Sequence, residues 1–254
     1  MLRLGSILRD YAIEATDGTI GKVCDFLFDD RSWKLRWIVV DTGSWLVGRK
    51  VLLHPSAVDG VDDERRRLRV NLTMPQVKAS PGIEWDQPVS AQMQDNLYRY
   101  YGWDPYWGGS YFGSDLVAPA LAPPQRDMVA LRAADGSDFP SDIAEPHLRS
   151  AVEVSGYHLR AVDGAIGHVE DLLVDDTNWG IGYLLVDTRD WWFGQHVLIS
   201  PHAVQEVNWA GRDVLLNLKR EKVKASPSWS PVETVDRLYQ ERLHRHYGWP
   251  GYGW

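Results

Sequence analysis

Segments in which apolar and polar residues alternate predict a series of short β-strands in the first part of the chain. Residues 20–28 alternate in this way, as a strand with one buried face does. The run Trp37-Ile38-Val39-Val40 is continuously apolar, which predicts burial on both faces. Asp17-Gly18 and Asp29-Asp30-Arg31-Ser32 are typical of turns. The predicted strands are residues 20–28, 34–40, 51–53, 57–61 and 68–72.

Apolar residues at helical spacing appear only after these strands. They recur about one helical turn apart, and a Tyr-Gly-Trp sequence follows each group at residues 101–103 and 247–249, where the glycine is placed to end a helix. We therefore predict a short helix after each set of strands, packed on its own set as a lid. The positions of the two apolar stripes are Met93, Leu97 and Tyr101 in the first, and Val235, Leu238 and Leu243 in the second.

The chain contains the same module twice. Residues 11–103 match residues 157–249 at a constant offset of 146, with 38 of 93 positions identical. We divide the chain into repeat 1 (residues 1–103), a linker (104–150) and repeat 2 (151–254). The linker holds six prolines and four glycines, shows little periodicity, and is interpreted as mostly disordered.

Charge and composition exclude several classes of protein. The net charge of −8 disfavours binding to nucleic acid, apart from a basic run at residues 65–69 that we read as a solvated hairpin tip. No apolar run approaches the length of a membrane span, and the first residues lack the apolar core of a secretory signal. Cys24 is the only cysteine, which suits a reducing compartment, so we expect a cytoplasmic protein without disulfides or thiolate metal clusters.

The repeated acidic residues are the main candidates for chemistry. Asp25, Asp29, Asp30 and Asp41 recur in repeat 2 and could form carboxylate pairs or hold a hard cation, although capping of turns explains them at least as well. The eight histidines form no metal-binding motif in the sequence. Cys24 is replaced by Glu170 in repeat 2, which argues against a shared nucleophile. We predict no catalytic residue, cofactor or metal, and therefore no enzyme.

Aromatic residues are more numerous than two small cores require, with 13 tryptophans and 11 tyrosines. Those on loops are either exposed for association, since aromatic side chains dominate binding hot spots, or buried against the neighbouring repeat or the linker. Both alternatives stay open. The candidate interaction surface comprises Trp45, Leu46, Val47, Trp103, Tyr106, Trp107, Trp191, Trp192, Phe193 and Trp249.

The spacing of the repeated residues resembles that of the PRC-barrel family, which includes the cytoplasmic domain of the photosynthetic reaction-centre H subunit and the C-terminal domain of a ribosome-maturation factor. The resemblance implies two small antiparallel β-barrels of about six strands, in a mainly β protein. It also implies a non-catalytic interaction module that often self-associates. The residues that carry the pattern are Gly18, Gly21, Asp25, Asp30, Trp33, Asp41, Gly48 and Pro55 in repeat 1, and Gly164, Gly167, Asp171, Asp176, Trp179, Asp187, Gly194 and Pro201 in repeat 2.

Three functions are consistent with this resemblance. The first is a protein-interaction scaffold or adaptor with an unknown partner, in which the two repeats form a pseudo-twofold contact or the chain forms a homodimer. The second is an accessory factor in RNA processing or ribosome assembly, which the acidic charge opposes. The third and weakest is a peripheral partner of a photosynthetic membrane complex.

Overall fold

A computed structural model of the chain describes residues 1–81, 91–103, 148–188, 196–230 and 234–250, and for residues 91–95 it describes only the backbone. The chain divides into two compact units, one formed by residues 1–78 with 147–254 and the other by residues 79–146. Both sets of strands belong to the first unit. None of the described helices combines the length and apolar character needed to span a membrane.

Repeat 1 contributes six strands to one sheet and a short strand, β1 (Leu2–Leu4), to another. The six strands are β2 (Ala12–Ala15), β3 (Gly18–Asp29), β4 (Lys34–Asp41), β5 (Lys50–Leu53), β6 (Val58–Asp62) and β7 (Arg67–Val70). Hydrogen-bonded neighbours in the sheet follow the order β5-β4-β3-β2-β7-β6. The strands predicted after Asp17 are confirmed, whereas β1 and β2 are too short to show a pattern.

Repeat 2 reproduces this arrangement 146 residues later. Its strands are β8 (Leu148–Ser150), β9 (His158–Ala161), β10 (Gly164–Asp175), β11 (Ile181–Asp187), β12 (His196–Ile199), β13 (Val204–Asn208) and β14 (Asp213–Leu216). Hydrogen-bonded neighbours follow the order β12-β11-β10-β9-β14-β13. β8 lies within the segment predicted to be linker. The remainder of the predicted linker, residues 104–147, lies outside the described residues.

The prediction of a mainly β protein is confirmed, and the strands form two sheets. Each sheet has seven strands, and no closed barrel forms within the described residues. The sheets are also not wholly antiparallel, because β2 pairs with β7 and β9 pairs with β14 in the parallel sense. In each repeat four strands lie along the chain between the two parallel partners.

The seventh strand of each sheet comes from the other repeat. β1 pairs with β10, with Leu2 opposite Asp175, and β8 pairs with β3, with Leu148 opposite Asp29. Moving each residue of the first pair to its counterpart in the other repeat, 2 to 148 and 175 to 29, gives the second pair, so the exchange is reciprocal, as between two copies related by a twofold axis. The contact between repeats is therefore an exchange of strands. Association with a second chain stays a prediction.

The central strands of the two sheets bury side chains on both faces. In β4, Trp37, Ile38, Val39 and Val40 are all fully buried, which confirms the burial predicted from their continuous apolar run. The matching residues of β11 are buried as well. Burial of such side chains contributes about 1.5–3 kcal/mol each before the entropy of ordering is subtracted.

Glycines at one repeated position allow two strands to approach closely. A Cβ on Gly21 would overlap the carbonyl oxygen of Asp41, and one on Gly167 would overlap that of Asp187. In both repeats the ladder to the preceding strand, β2 or β9, shifts register beside this glycine. The family glycine is therefore required by backbone contact.

Two helices of eleven residues each precede the Tyr-Gly-Trp sequences. Gly102 and Gly248 have φ values of 69° and 77°, the left-handed conformation that ends a helix. In the second helix the buried residues are Tyr239, Leu243, His244 and Tyr247, whereas Leu238 is 69% exposed, so the stripe predicted there was wrong at Leu238. The helices are α1 (Gly5–Leu8), α2 (Met74–Ala79), α3 (Ala91–Tyr101), α4 (Ala151–Val154), α5 (Arg220–Lys224) and α6 (Arg237–Tyr247).

A histidine caps the 3-10 turn of repeat 1, and a serine does so in repeat 2. His54 Nδ1 accepts from the Ser56 backbone N–H at 3.2 Å, and Ser200 Oγ accepts from the His202 N–H at 3.4 Å. Burial, helped by Arg36, lowers the pKa of His54 to about 4. The folded protein therefore keeps this ring neutral at pH values where the unfolded chain takes up a proton.

We expect His54→Ser to reduce the acid sensitivity of the fold. An unfolded histidine titrates near pH 6.5, so wild-type stability should fall between about pH 7 and pH 4, by on the order of 2 kcal/mol. Serine keeps the cap without a titrating group. Urea unfolding at pH 7 and pH 5 measures the change, and equal losses in the two proteins would contradict the assignment.

Candidate functional site

The two repeats meet at the tips of the β3–β4 and β10–β11 hairpins. The Leu35 N–H donates to the carbonyl oxygen of Trp179 at 2.8 Å, and the Ile181 N–H donates to that of Trp33 at 2.7 Å. Lys34 lies directly opposite Gly180 between them. Because 34 and 180 differ by the repeat offset, this bridge lies on the pseudo-twofold axis.

Trp33 and Trp179 adopt an unusual backbone conformation at this junction. Their φ values are 53° and 56°, in the left-handed region that residues other than glycine seldom occupy. Each carbonyl is turned to accept a hydrogen bond from the other repeat. The shared tryptophan of the family pattern is thus part of the connection between repeats.

The family aspartates anchor the exchanged segments. Asp171 is 6% exposed and accepts hydrogen bonds from the backbone N–H and hydroxyl of Ser6, at the start of α1. Asp25 accepts from the Ser150 hydroxyl at 2.6 Å and the Val152 N–H at 3.1 Å. Burial raises the pKa of both carboxyls, against the opposing effect of these hydrogen bonds. Their role in the fold is to hold a segment of the other repeat.

A second pair of aspartates binds the arginine of each exchanged strand. Arg149 Nε lies 2.9 Å from Asp30 Oδ2, and Arg3 Nε lies 2.6 Å from Asp176 Oδ2. Arg3 also pairs with Asp63 of its own repeat, whereas Arg149 stacks over the Trp209 ring at 4.4 Å from its centroid.

Two clefts of unequal size flank the junction at equivalent places. The large cleft, of about 830 Å³, is lined by residues 30–34, 180–182 and 204–207 together with Leu2, Asp175, Asn178, Ser200, Pro201, His202 and Trp209. The small cleft, of about 250 Å³, is lined by Arg3, Asp176, Trp179 and residues 58–61, which are counterparts of residues 204–207. The repeats are therefore alike in topology and unlike in this surface.

Glycines of repeat 2 line the large cleft where repeat 1 has long cationic side chains. Gly180 and Gly182 correspond to Lys34 and Arg36, and both glycines line the cleft. Along its other side runs β13, which stands at the end of the strand order and pairs only with β14 among the described strands. The lining of the large cleft thus contains the edge of a strand and two positions, Gly180 and Gly182, that carry no side chain. The substitution of both cations by glycine was visible in the sequence, but their proximity to β13 was not.

The predicted interaction surface is only partly described. Val47 is 86% exposed, while Trp45 and Leu46 are half-buried, and none of the three lines either cleft. Trp103 and Trp249 are half-buried and stack on Tyr101 and Tyr247, each with 4.2 Å between ring centroids. The candidates outside the described residues are Tyr106, Trp107, Trp191, Trp192 and Phe193.

Other residues of the family pattern occupy turns and strand ends. Asp41 accepts from the Gly43 N–H at 2.9 Å, which agrees with turn capping. Gly48 has a φ of 73°, and Pro55 and Pro201 begin the 3-10 turns. Gly18 and Gly164 begin β3 and β10. Gly194 lies outside the described residues.

The basic run at residues 65–69 is interspersed with acidic partners. Arg65 pairs with Asp62 at 3.2 Å, and Arg67 pairs with Glu14 at 2.7 Å. Arg66 lies 3.7 Å from Asp10. Ion pairs of this kind weaken the positive potential that attracts a nucleic-acid phosphate backbone.

Cys24 is poorly suited to act as a nucleophile. Burial is the main cause that raises the pKa of its thiol, and the reactive form of cysteine is the thiolate. Repeat 2 has Glu170 at this position.

Comparison with known proteins supports the resemblance noted in the sequence. Residues 2–73 match the family model of the PRC-barrel domain, an interval that contains β1 to β7. A search of curated proteins finds no match for the chain.

Proposed function

We propose that both repeats are PRC-barrel domains and that the chain is a non-catalytic protein-interaction scaffold whose large cleft binds an extended segment of a partner protein. The internal identity of 38 in 93 positions supports the second domain. The observation that carries the function is the difference between two equivalent clefts, 830 Å³ against 250 Å³. Packing alone gives no reason for two equivalent clefts to differ this much in volume.

The chemistry of the large cleft favours an extended polypeptide as its occupant. A strand whose outer edge is unpaired presents backbone donors and acceptors in a row, which an added strand satisfies. β13 has such an edge among the described residues, and Gly180 lines the same cleft without a side chain of its own. Val204, Val207 and Trp209 add half-buried apolar contacts for alternate side chains of the incoming segment.

The exchange of strands supports the scaffold role. Because each sheet contains a strand from the other repeat, separating the repeats would break backbone ladders and the Arg3 and Arg149 ion pairs. The junction that borders the cleft is thus held in one arrangement before a partner arrives, which lowers the entropic cost of binding.

The test is selection of binding peptides from a random peptide library on the full chain. We expect Gly180→Lys, which installs the residue of repeat 1, to weaken the selected peptides about 10-fold or more by placing a long side chain in the cleft. The added Cβ would lie 3.0 Å from the Asn178 side-chain oxygen, which accepts from the Gly180 N–H at 2.8 Å, and the new ammonium would face Lys34. Urea unfolding of the variant therefore accompanies the affinity measurement.

Two control variants separate the cleft from the predicted aromatic surface. Trp45→Ala and Trp191→Ala alter that surface and should leave peptide affinity unchanged. Loss of binding in these variants, with Gly180→Lys unaffected, would assign the function to the aromatic loops. Selection of no peptide, together with salt-sensitive binding to single-stranded RNA, would favour the accessory factor in RNA processing or ribosome assembly.

A further inference from the structure

Repeat 2 carries a row of metal-ligating side chains across three neighbouring strands. His168 on β10 is paired in register with Asp187 on β11, and Asp187 is paired with His196 on β12. Residues directly opposite each other in antiparallel strands project from the same face. Glu170 lies at the β-bulge between Val169 and Asp171 on β10, and its carboxylate reaches Asp187 and His196.

The side chains of this row converge. Ligand atoms of Glu170, Asp187 and His196 all lie within 4.8 Å of one another, and His196 Nε2 is 2.7 Å from Glu170 Oε2. His168 Nε2 lies 3.8 Å from Asp187 Oδ2. The Asp187 side chain is 1% exposed, whereas the two histidines and Glu170 reach solvent. A buried carboxylate therefore lies beneath groups through which an ion could enter.

Repeat 1 does not carry this row. The counterparts of His168, Glu170 and His196 are Lys22, Cys24 and Lys50, and only the aspartate, Asp41, is shared. Two ammonium groups beside a carboxylate neutralise it and repel a cation. The cluster is thus present in repeat 2 and not in repeat 1, so the fold common to both repeats does not require it.

We propose that Glu170, Asp187 and His196 form a binding site for a divalent transition-metal ion of the zinc class. Imidazole and carboxylate ligands suit Zn²⁺, and three protein ligands with an open fourth place form a recurrent zinc site. Ligands of a tetrahedral zinc ion lie about 3.3 Å apart, given bond lengths of about 2.0–2.1 Å. The ligand atoms lie within 4.8 Å of one another, so the longest separation must shorten by at most about 1.5 Å.

The nitrogen ligand distinguishes this site from a calcium or magnesium site. Hard cations prefer six or more oxygen ligands, and this row offers only two carboxylates. The site lies on β10, β11 and β12, and none of its residues lines the large cleft. It therefore stands or fails independently of peptide binding.

The test is titration of the chelator-treated, tag-free full chain with Co²⁺, whose tetrahedral complexes absorb strongly in the visible range. We expect one ion per chain with a tetrahedral spectrum, competition by Zn²⁺, and a Zn²⁺-dependent rise in melting temperature. His196→Gln and Glu170→Gln should each weaken Co²⁺ affinity about 100-fold or more. His168→Gln changes a ring whose Nε2 lies 3.8 Å from Asp187, beyond hydrogen-bond distance, so it should weaken Co²⁺ affinity less than either ligand variant.

The duplication provides matched controls. Asp41→Asn alters the counterpart of Asp187 and should leave Co²⁺ binding unchanged, as should Cys24→Ser. The proposal is overturned if no tetrahedral complex forms, because His196 and Glu170 would then be only an ion pair. Loss of the complex in Cys24→Ser, with His196→Gln unaffected, would also overturn it by placing the ion in repeat 1.

Discussion

Residues 1–81 expressed alone are expected to form a dimer, with β1 of each copy paired to β3 of the other. In the full chain, β8 occupies that position on β3 through the Leu148–Asp29 register, and β1 has the same leucine–arginine start as β8. A second copy can therefore supply the missing strand, and its Arg3 can pair with Asp30 as Arg149 does. Light scattering coupled to size exclusion, over a concentration series, measures the mass.

Two variants make this expectation specific. Arg3→Pro removes a backbone donor from β1 and should yield a monomer. In the dimer Lys34 would lie opposite Lys34 of the other copy, where the full chain has Gly180. Like charges directly opposite destabilise a ladder by about 0.2–1 kcal/mol, so Lys34→Gly should tighten the dimer up to about 5-fold.

A folded, monomeric fragment at every concentration would contradict this expectation. It would mean that β1 can pair with the β3 of its own repeat, and that the exchange arises only when the repeats are linked. If the fragment is unfolded and Lys34→Gly restores no structure, repeat 1 needs contacts from repeat 2 that a second copy of repeat 1 does not supply.

The second large effect is expected from Asp171→Ala in the full chain. This substitution removes the acceptor for the Ser6 N–H and hydroxyl and for the Leu172 N–H, and it leaves those donors in a site that water scarcely reaches. Loss of bonds to a charged acceptor, with buried donors unsatisfied, costs about 2–4 kcal/mol. Urea unfolding at pH 7 should show this fall in the free energy of unfolding.

Conservative and matched substitutions control for general disruption. Asp171→Asn keeps one acceptor and removes the cost of burying a charge, which is the cause that raises the pKa of this carboxyl, so its loss should be about 1 kcal/mol or less. Asp25→Ala should resemble Asp171→Ala, since Asp25 holds the other exchanged segment. Glu64→Ala, on the surface, should have no effect. Equal losses for Asp171→Asn and Asp171→Ala would place the effect in packing.

Duplication within one chain allows the two halves of a symmetric assembly to diverge. In a homodimer, a change at residue 34 would appear on both sides of the axis, whereas here Lys34 faces Gly180. The same freedom leaves one cleft open and the other small, and places the Glu170, Asp187 and His196 cluster in repeat 2 alone.

Local pattern determined most of the secondary structure. Alternation over residues 20–28 and the apolar run at residues 37–40 gave the positions of β3 and β4. The single buried face predicted for β3 was wrong at its end, where Phe26, Leu27 and Phe28 are all buried. The error at Leu238 arises because the buried face of this helix is set by the sheet on which it packs. There Tyr183 Oη lies 2.8 Å from His244 Nε2. Three-residue strands such as β1 and β8 are too short for any period to appear.

The sequence by itself determined the duplication, the mainly β class, the family resemblance and the residues shared by both copies, because these depend on composition and spacing. The tertiary structure alone decided what those residues contact. Asp25 and Asp171 looked like candidates for chemistry, yet they bind a segment about 125 or 165 positions away in the chain. His168 and His196 looked unrelated, yet two strand pairings set them on either side of Asp187. Contacts between residues distant in the chain leave no local period, so only the folded chain reveals them.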